Sequence, residues 1–443
     1  MLIYLESLGC ARNQVDSETM LARLEAAGIG ITDDPSLAEA IVVNTCSFIE
    51  SAADESIDTI LELAKYKREG RCRRLIVTGC LPERYRDPIV EALPEVDFFL
   101  GTGAYEQIVP AVQGAWAAGA CLLPDPDAVD SRLPVLRKPL AAHSAYLKIA
   151  EGCSRHCTYC IIPKLRGGQK SRPLATLLQE ARALIADGAR ELTLVAQETT
   201  AYGQDLRPPT DLARLLSALA GVDPSVWIRV MYGHPQSITA KVIQTLAAHA
   251  NLCAYLDIPV QHASSNMLRR MGRGYTDREL LHLFTSIRAQ LPDAALRTTV
   301  LVGFPGESQD DFKQLLDFIE QARFDHLGVF AYSDAEDLPS HHLGEHVDAV
   351  LAQERLDMVM ALQQRISAEK LTRFQGRTLQ VLVDAAPKKG DDFWIGRTCF
   401  QAPEVDGVTL IKASPEGPAP VPGNFIPVRV VQTLDYDLIT EAL

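Results

Sequence analysis

The sequence predicts an α/β protein in three parts: a doubly wound parallel sheet, a partial barrel of six β/α units, and a small β-barrel similar to an OB fold. Short apolar runs alternate with helical patterns over residues 1–135 and again over 141–372, and this alternation is typical of parallel sheets. Over 373–443 the pattern changes to short strands separated by glycine, proline and aspartate, which is typical of a small barrel. A proline-rich stretch at 121–140 is interpreted as the linker between the first two parts.

The predicted elements follow one another in a simple order. In the first part, helical patterns follow apolar runs that are predicted as strands, at 2–9, 40–45, 74–79 and in DFFLGTG. In the second part, six strands are predicted, at 145–150, 191–196, 226–231, 254–260, 296–302 and 327–332. Six units are too few to close an eight-stranded barrel, so an open barrel is expected. After a long helical pattern, five short strands are predicted in GRTLQVLVD, FWIGRTC, GVTLIKA, FIPVRVVQ and DYDLITEA.

Length and composition restrict the class of protein. The chain has 443 residues, of which 47% are hydrophobic and 23% are charged, and this is the composition of a globular protein with more than one domain. No apolar run reaches the roughly 18 residues that a membrane-spanning helix needs. The start of the chain lacks the basic and apolar regions of a secretory signal. The sequence therefore predicts a cytoplasmic protein without a membrane partner.

The charge argues against nucleic acid as the main partner. The formal net charge is −14, and over residues 371–443 seven Lys and Arg stand against nine Asp and Glu. Surfaces that bind a nucleic acid strand are usually positive, because Lys and Arg supply the phosphate contacts. Direct nucleic-acid binding is therefore not expected to dominate, and a basic protein is the better-matched partner.

Three cysteines stand on one short loop after the run AYLKIA. Cys153, Cys157 and Cys160 follow the spacing Cys-x-x-x-Cys-x-x-Cys within EGCSRHCTYC. Three thiolates can hold three irons of a [4Fe–4S] cluster, and no fourth cysteine follows in IIPKLRGGQKSRP, so the fourth iron is open to a small chelating ligand. An open iron indicates catalysis rather than electron storage. Two other interpretations stay open: a zinc site with His156 as fourth ligand, and a redox disulfide or separate buried thiols.

Three further cysteines stand far apart in the sequence but share one placement. Cys10, Cys46 and Cys80 each come directly after one of the first three predicted strands. The carboxyl ends of parallel strands meet at one edge of a sheet, where α/β proteins bind ligands. The sequence therefore predicts that these thiols converge on a second cluster, and the alternative is three structural thiols that meet there by chance. The remaining cysteines share no such placement and are expected to be ordinary thiols: Cys72, Cys121, Cys253 and Cys399.

The loop at 151–160 resembles that of the radical S-adenosylmethionine (radical SAM) enzymes, in its spacing and in the aromatic Tyr159 before the last cysteine. With the N-terminal cysteines and a terminal barrel that resembles a TRAM domain, the order of motifs resembles the methylthiotransferase family over nearly the whole chain. Several stretches are similar to the branch that modifies an aspartate of ribosomal protein S-twelve: VDSE, VNTCSFIESA, YLKIAEGC, YLDIPVQHAS and RTTVLVGFPGE. Two stretches depart from the family pattern, GCARN around the first cysteine and GHPQSITAKV at 233–242.

The resemblance implies two [4Fe–4S] clusters and S-adenosylmethionine as cofactors. The cluster on the 151–160 loop would generate an adenosyl radical that abstracts hydrogen from the aspartate β-carbon, a C–H bond too weakly acidic for a side-chain base. The N-terminal cluster would carry the sulfur, which a second S-adenosylmethionine methylates. The implied partners are the small ribosomal subunit and a low-potential reductant such as flavodoxin. Candidate cofactor contacts lie on or just after predicted barrel strands, at Gln197, Thr199, Gln261 and Arg297.

Two alternative functions stay open from the sequence. The first is a transfer-RNA adenosine methylthiotransferase, which would use the same chemistry and predicts a basic C-terminal barrel. The second is a non-catalytic iron–sulfur protein that carries electrons or senses oxygen, which predicts no binding of S-adenosylmethionine. The acidic balance of residues 371–443 disfavours the first, and the open fourth iron disfavours the second.

Overall fold

The computed structural model of the chain describes residues 1–128, 137, 139–141, 143–414 and 417–443. Its N-terminal part is one parallel sheet with apolar clusters on both faces. The elements are β1 (Leu2–Ser7), α1 (Ala11–Ala26), β2 (Gly30–Ile31), β3 (Ala40–Thr45), α2 (Glu50–Ala64), α3 (Tyr66–Glu69), β4 (Arg74–Gly79), α4 (Cys80–Tyr85), α5 (Pro88–Ala92), β5 (Phe98–Leu100), α6 (Ile108–Gln113) and β6 (Ala120–Leu122). The strand order is β2-β1-β3-β4-β5-β6, so β1, β3 and β4 lie side by side.

The central part is a partial barrel of six parallel strands with helices on its outside. Its elements are β7 (Ser144–Lys148), β8 (Ala150–Glu151), α7 (Ile162–Arg166), β9 (Lys170–Ser171), α8 (Leu174–Ala186), β10 (Glu191–Val195), α9 (Leu212–Ala220), β11 (Trp227–Val230), α10 (Ala240–Ala248), β12 (Tyr255–Asp257), α11 (Ser265–Arg270), α12 (Asp277–Gln290), β13 (Ala295–Val302), α13 (Gln309–Ala322), β14 (His326–Ala331) and α14 (Ala349–Leu371). Six of these strands form two three-stranded sheets, β7-β10-β11 and β12-β13-β14, while β8 and β9 form a separate antiparallel pair. A parallel bridge between Ile228 and Leu252 joins the two three-stranded sheets.

The C-terminal part is a closed five-stranded barrel. Its strands are β15 (Thr378–Ala385), β16 (Phe393–Arg397), β17 (Thr409–Lys412), β18 (Phe425–Thr433) and β19 (Leu438–Ala442), in the order β15-β16-β17-β19-β18. All neighbours are antiparallel except β17 and β19.

The predicted fold class is confirmed. The sequence does not predict β2 and β6, because two or three residues are too few to show a period of two. The predicted linker at 121–140 lies partly outside the described residues, and its first two residues belong to β6. No helix in the described ranges combines the length and the apolar character that a bilayer crossing needs.

The C-terminal barrel closes the interior of the partial barrel at the amino ends of its strands. The loop between β16 and β17 brings Phe400 and Ala402 into one buried apolar cluster with Trp227 and Tyr255 of the inner wall. The Trp227 ring also packs against Phe425, with ring centroids 4.6 Å apart. The carboxyl ends of the barrel strands remain open to the N-terminal sheet.

Buried ion pairs fix this contact. Arg229 and Glu191 are both fully buried, and Arg229 Nε donates to Glu191 Oε1 at 2.8 Å. Arg397 of the C-terminal barrel donates to Glu191 Oε2 at 2.6 Å and to Asp384 at 2.8 Å. Although burial raises it, the two arginines hold the pKa of Glu191 below its usual value. One carboxylate therefore serves a guanidinium from each of the two barrels.

Replacing this carboxylate should destabilise the chain strongly. Glu191→Gln leaves Arg229 and Arg397 buried with one shared charge missing, and breaking a buried pair in this way costs about 3–5 kcal/mol. The midpoint of urea denaturation is the measurement. The control is Glu106→Gln, which removes an exposed pair with Arg23 and should change the midpoint little. Equal shifts in the two variants would contradict a special role for the buried pair.

Candidate functional site

The N-terminal trio (Cys10, Cys46 and Cys80) meets at the carboxyl edge of the first sheet. Cys10 follows β1, Cys46 follows β3, and Cys80 is the first residue of α4 after β4. Because these strands are neighbours, their ends lie side by side. The first two loops come so close that a Cβ added at Gly9, whose φ is +93°, would lie 2.7 Å from the Cys46 Cβ. Only glycine fits this approach without displacing Cys46.

Guanidinium groups stand beside these thiols. Arg166 donates to Asn13 Oδ1 at 2.6 Å and lies 3.7 Å from Cys80 Sγ. Burial would raise the pKa of Cys10, but Arg12 and Arg166 lower it below the ordinary thiol value. Burial raises the pKa of Cys80 to about 12, so this thiol keeps its proton at neutral pH unless a metal displaces it. Three converging thiols beside two cations fit an iron–sulfur cluster, because its thiolates and sulfides are anionic.

The cluster-loop trio (Cys153, Cys157 and Cys160) lies on the loop after β8, which the main chain holds in place. Gly152 has φ +77°, and a Cβ there would lie 2.1 Å from a backbone oxygen of the facing turn. Cys153 N donates to Gly167 O at 3.0 Å, and Cys160 N donates to Cys157 O at 3.1 Å. These bonds fold the three cysteines into one tight loop.

The thiols of this loop are partly buried and lie close enough to influence one another. Burial raises the pKa of Cys153 and raises that of Cys160 to about 12, and the charge of Cys157 adds to both. His156, the fourth ligand in the zinc alternative, is exposed. Within the described ranges, no three His, Cys, Asp or Glu side chains form a ready coordination shell. The ligand role of both trios stays a prediction.

A buried ionic cluster joins the two trios. Asp16 of α1 accepts from Lys148, and it accepts from Arg166 Nη1 at 2.9 Å. Glu151, at the start of the cluster loop, accepts from Lys148 at 2.7 Å and from Arg166 at 3.1 Å. Burial alone would raise the pKa of Glu151, but Arg166 and Lys148 hold it well below its usual range. The helix that follows Cys10 and the cluster loop are therefore fixed relative to each other.

Two functional arginines, Arg155 within the cluster loop and Arg273 next to it, are not predicted from the sequence. Arg155 donates to Glu198 at 2.7 and 2.9 Å. Arg273 donates to the Tyr159 hydroxyl at 2.6 Å, and Tyr159 meets an aromatic neighbour edge-on. Tyr159 in the motif and Glu198 after β10 are the available signals. The two pairs cannot be predicted from the sequence, because Arg273 lies 114 residues from Tyr159 and Arg155 lies 43 residues from Glu198.

The four candidate cofactor contacts differ in what they already bind. Gln197 donates to the cluster-loop glutamate at 2.7 Å, and its Oε1 is buried without a partner among the described residues. Gln261 is half-buried and has φ +68°. Thr199 is buried and donates to two main-chain oxygens, while Arg297 donates to Asp257 at 3.0 Å. Gln197 therefore has an acceptor free for a ligand, Thr199 and Arg297 are engaged, and all four stay predictions.

The remaining cysteines lie apart from both trios. Cys72 is buried and donates to Arg74 O, and Cys121 lies in β6 at the edge of the first sheet. Cys253 and Cys399 lie where the two barrels meet, each within electrostatic range of Arg229.

Three family models match the chain. They are the uncharacterized protein family UPF0004 over residues 2–101, the radical SAM superfamily over 147–319 and the TRAM domain over 376–443. Curated relatives match over the full length. The ribosomal protein uS12 methylthiotransferase RimO of Desulfosudis oleivorans is 52% identical, with 100% of both chains covered. The protein of the same name from Clostridioides difficile is 43% identical, over 100% of this chain and 98% of the relative.

Solved structures are similar in fold. The radical S-adenosylmethionine methyltransferase TsrM from Kitasatospora setae has a TM-score of 0.57 at 16% identity, with 77% of each chain covered. The cobalamin-dependent S-adenosylmethionine radical enzyme OxsB has a TM-score of 0.54 at 12% identity, over 82% of this chain and 56% of that chain.

The close approach at Gly9 gives a test of the N-terminal trio. Gly9→Ala should lower the iron bound after anaerobic reconstitution, because the new Cβ would displace Cys46. Gly28→Ala is the matched control, since its φ is +75° but nothing lies within 4 Å of the added Cβ. Both variants carry backbone strain of about 1–3 kcal/mol, and only the first touches the trio. Equal iron content in the two variants, with folding checked by circular dichroism, would contradict the assignment.

Proposed function

This chain belongs to the RimO family of radical SAM methylthiotransferases, and on that premise we propose that it adds a methylthio group to the β-carbon of an aspartate in ribosomal protein uS12. It is a radical SAM enzyme, a class that uses a [4Fe–4S] cluster and S-adenosylmethionine. One observation supports the proposal above others. The two cysteine trios, 70 or more residues apart in sequence, are joined through one buried ionic cluster.

Each trio would hold one [4Fe–4S] cluster. When bound, the cluster on the loop supplies the electron that cleaves S-adenosylmethionine, and the N-terminal cluster supplies the sulfur. The chain's own side chains hold these loops. Arg166 and Lys148 balance the carboxylates between them. Tyr159, fixed by Arg273 and packed on Phe304, gives the cluster loop an aromatic wall.

The C-terminal barrel supports a protein substrate rather than transfer RNA. Arg397 is buried in pairs with Glu191 and Asp384, and Arg373 pairs with Asp325 at 3.0 Å. Neither guanidinium is free for a phosphate, so the positive charge offered to a nucleic acid is smaller than the count of seven suggests. The acidic balance suits a basic protein such as one of the ribosome.

A low-potential reductant such as flavodoxin and a cytoplasmic location complete the proposal. Reductive cleavage of S-adenosylmethionine needs an external electron donor, and the substrate is a component of the ribosome. Both statements follow from the proposed reaction.

Mass spectrometry tests the substrate. Anaerobically reconstituted enzyme receives reductant, sulfide and S-adenosylmethionine, with small ribosomal subunits in one sample and bulk transfer RNA in another. We expect one hydrogen of a uS12 aspartate to be replaced by a methylthio group, and the transfer RNA to stay unchanged. A methylthio group on adenosine would move the chain to the transfer-RNA alternative. Protein that never cleaves S-adenosylmethionine would be the non-catalytic iron–sulfur alternative.

Alanine replacement of each trio separates the two proposed clusters. Loss of the cluster-loop trio should abolish cleavage of S-adenosylmethionine and methylthio transfer together. Loss of the N-terminal trio should abolish transfer while cleavage continues. Each triple variant should bind about half the iron of the wild type, since each trio ligates one cluster of the same type. Cys72→Ala is the control and should keep all three properties. Full transfer without the N-terminal trio would contradict the two-cluster proposal.

A further inference from the structure

We propose that Arg12 binds the carboxylate of the substrate aspartate, at the junction between the two cysteine trios. This inference rests on the proposed function, in which the reacting side chain is an aspartate. Arg12 lies in the first turn of α1, two residues after Cys10, and its side chain reaches from the N-terminal sheet to the barrel. Its Nη1 lies 3.4 Å from Ala196 O, and its guanidinium carbon lies 4.4 Å from the centre of the Tyr232 ring.

Both of these barrel contacts lie on the open face of the barrel. Ala196 comes directly after β10, and Tyr232 lies two residues beyond the end of β11. Functional groups of parallel β/α barrels gather at the carboxyl ends of the strands. The guanidinium therefore stands over this face, within electrostatic reach of the Cys10 thiol.

Arg12 differs from the buried arginines around it because no carboxylate pairs with it among the described residues. Its strongest electrostatic neighbours are Cys10, Tyr232 and Arg166. Half-buried Arg273 also lacks a carboxylate, but it donates to the Tyr159 hydroxyl at 2.6 Å. The buried arginines all pair with carboxylates: Arg137, Arg166, Arg172, Arg229, Arg355 and Arg397. Arg12 is half-buried, and its recorded hydrogen-bond partners are the Ala196 carbonyl, at a long 3.4 Å, and the Cys10 thiol, so its five N–H donors are not saturated by the chain. An accessible, partly desolvated guanidinium fork is a strong carboxylate binder.

The backbone beneath Arg12 is held in an uncommon conformation. Tyr232 is not a glycine but has φ +61°. Its N–H donates to Asp257 Oδ2 at 3.0 Å, and its carbonyl accepts from Thr199 N at 3.1 Å and from Thr199 Oγ1 at 3.0 Å. Strain of this kind persists where surrounding bonds enforce it, and it clusters at ligand sites. These bonds fix the aromatic ring that supports the guanidinium.

Carboxylate binding at this place would restrain the reacting atom. The β-carbon of aspartate is bonded directly to the carboxyl carbon, so a bidentate contact leaves the β-carbon little freedom. Restricting a reacting group to one geometry is worth a large rate factor. An asparagine at the modified position of uS12 has only one acceptor oxygen, and its NH2 group would face the N–H donors of Arg12. The site should therefore bind asparagine much more weakly than aspartate.

A double-mutant cycle between Arg12 and the substrate carboxylate tests the proposal. Oxidised holoenzyme, which cannot turn over, is titrated with labelled uS12 that carries Asp or Asn at the modified position. Arg12→Gln should weaken binding of the Asp form about 10- to 100-fold and that of the Asn form by no more than about twofold. Arg12→Lys keeps the charge but loses the fork, so its effect should be intermediate. Arg214→Gln, exposed on α9, should match the wild type.

Iron content and cleavage of S-adenosylmethionine are measured on the same variants. Retained iron and cleavage, together with lost preference for Asp over Asn, support the assignment. Equal weakening of both uS12 forms would overturn it, and so would iron loss in both Arg12 variants, because Arg12 would then serve the fold or the cluster. A wild type that modifies uS12 without preferring Asp would overturn only this inference. A wild type that neither binds nor modifies uS12 would overturn the proposed function, and this inference with it.

Discussion

The mutual neutralisation of Asp16, Lys148, Glu151 and Arg166 is the constraint on which the rest of the site depends. A charged group buried alone costs several kcal/mol, so each of these side chains needs its partners to stay where they are. Arg166 reaches Asp16 across 150 residues of sequence. The N-terminal sheet and the cluster loop cannot separate without leaving charges unpaired. This requirement, together with the packing of Cys80 against Ile161 and Leu165, sets the relative position of the two cysteine trios.

Paired charges also fix the other end of the partial barrel, and their contacts extend to its open face. Asp406 of the C-terminal barrel accepts from the Tyr255 hydroxyl at 2.7 Å and lies 3.4 Å from Arg297. Arg297 binds one oxygen of Asp257, whose other oxygen accepts from Tyr232 N. A chain of charged and polar contacts thus runs from the C-terminal barrel to the residue beneath Arg12. The terminal barrel is a structural component of the site and not an appendage.

The fold and the two cysteine trios follow from local sequence patterns. Strand–helix alternation predicts the parallel sheets, and the end of a parallel strand predicts where Cys10, Cys46 and Cys80 meet. The ion pairs do not follow, because a sequence carries no local mark of a partner that lies 150 residues away. Placement after a strand also does not separate Gln197 from Thr199. Only the structure tells that one has a free acceptor and the other is engaged by the main chain.

The loop between β16 and β17 makes completion of the partial barrel depend on a segment that is translated well after the barrel strands. Its residues fill the interior of a barrel whose own strands leave the ribosome much earlier, and domains generally fold in the order in which they emerge. Until this loop arrives, Arg297 lacks Asp406, and the apolar wall around Trp227 and Tyr255 faces water. The nascent enzyme therefore passes through a stage with an unfinished interior. The interior is complete only after β16, β17 and the loop between them have been made.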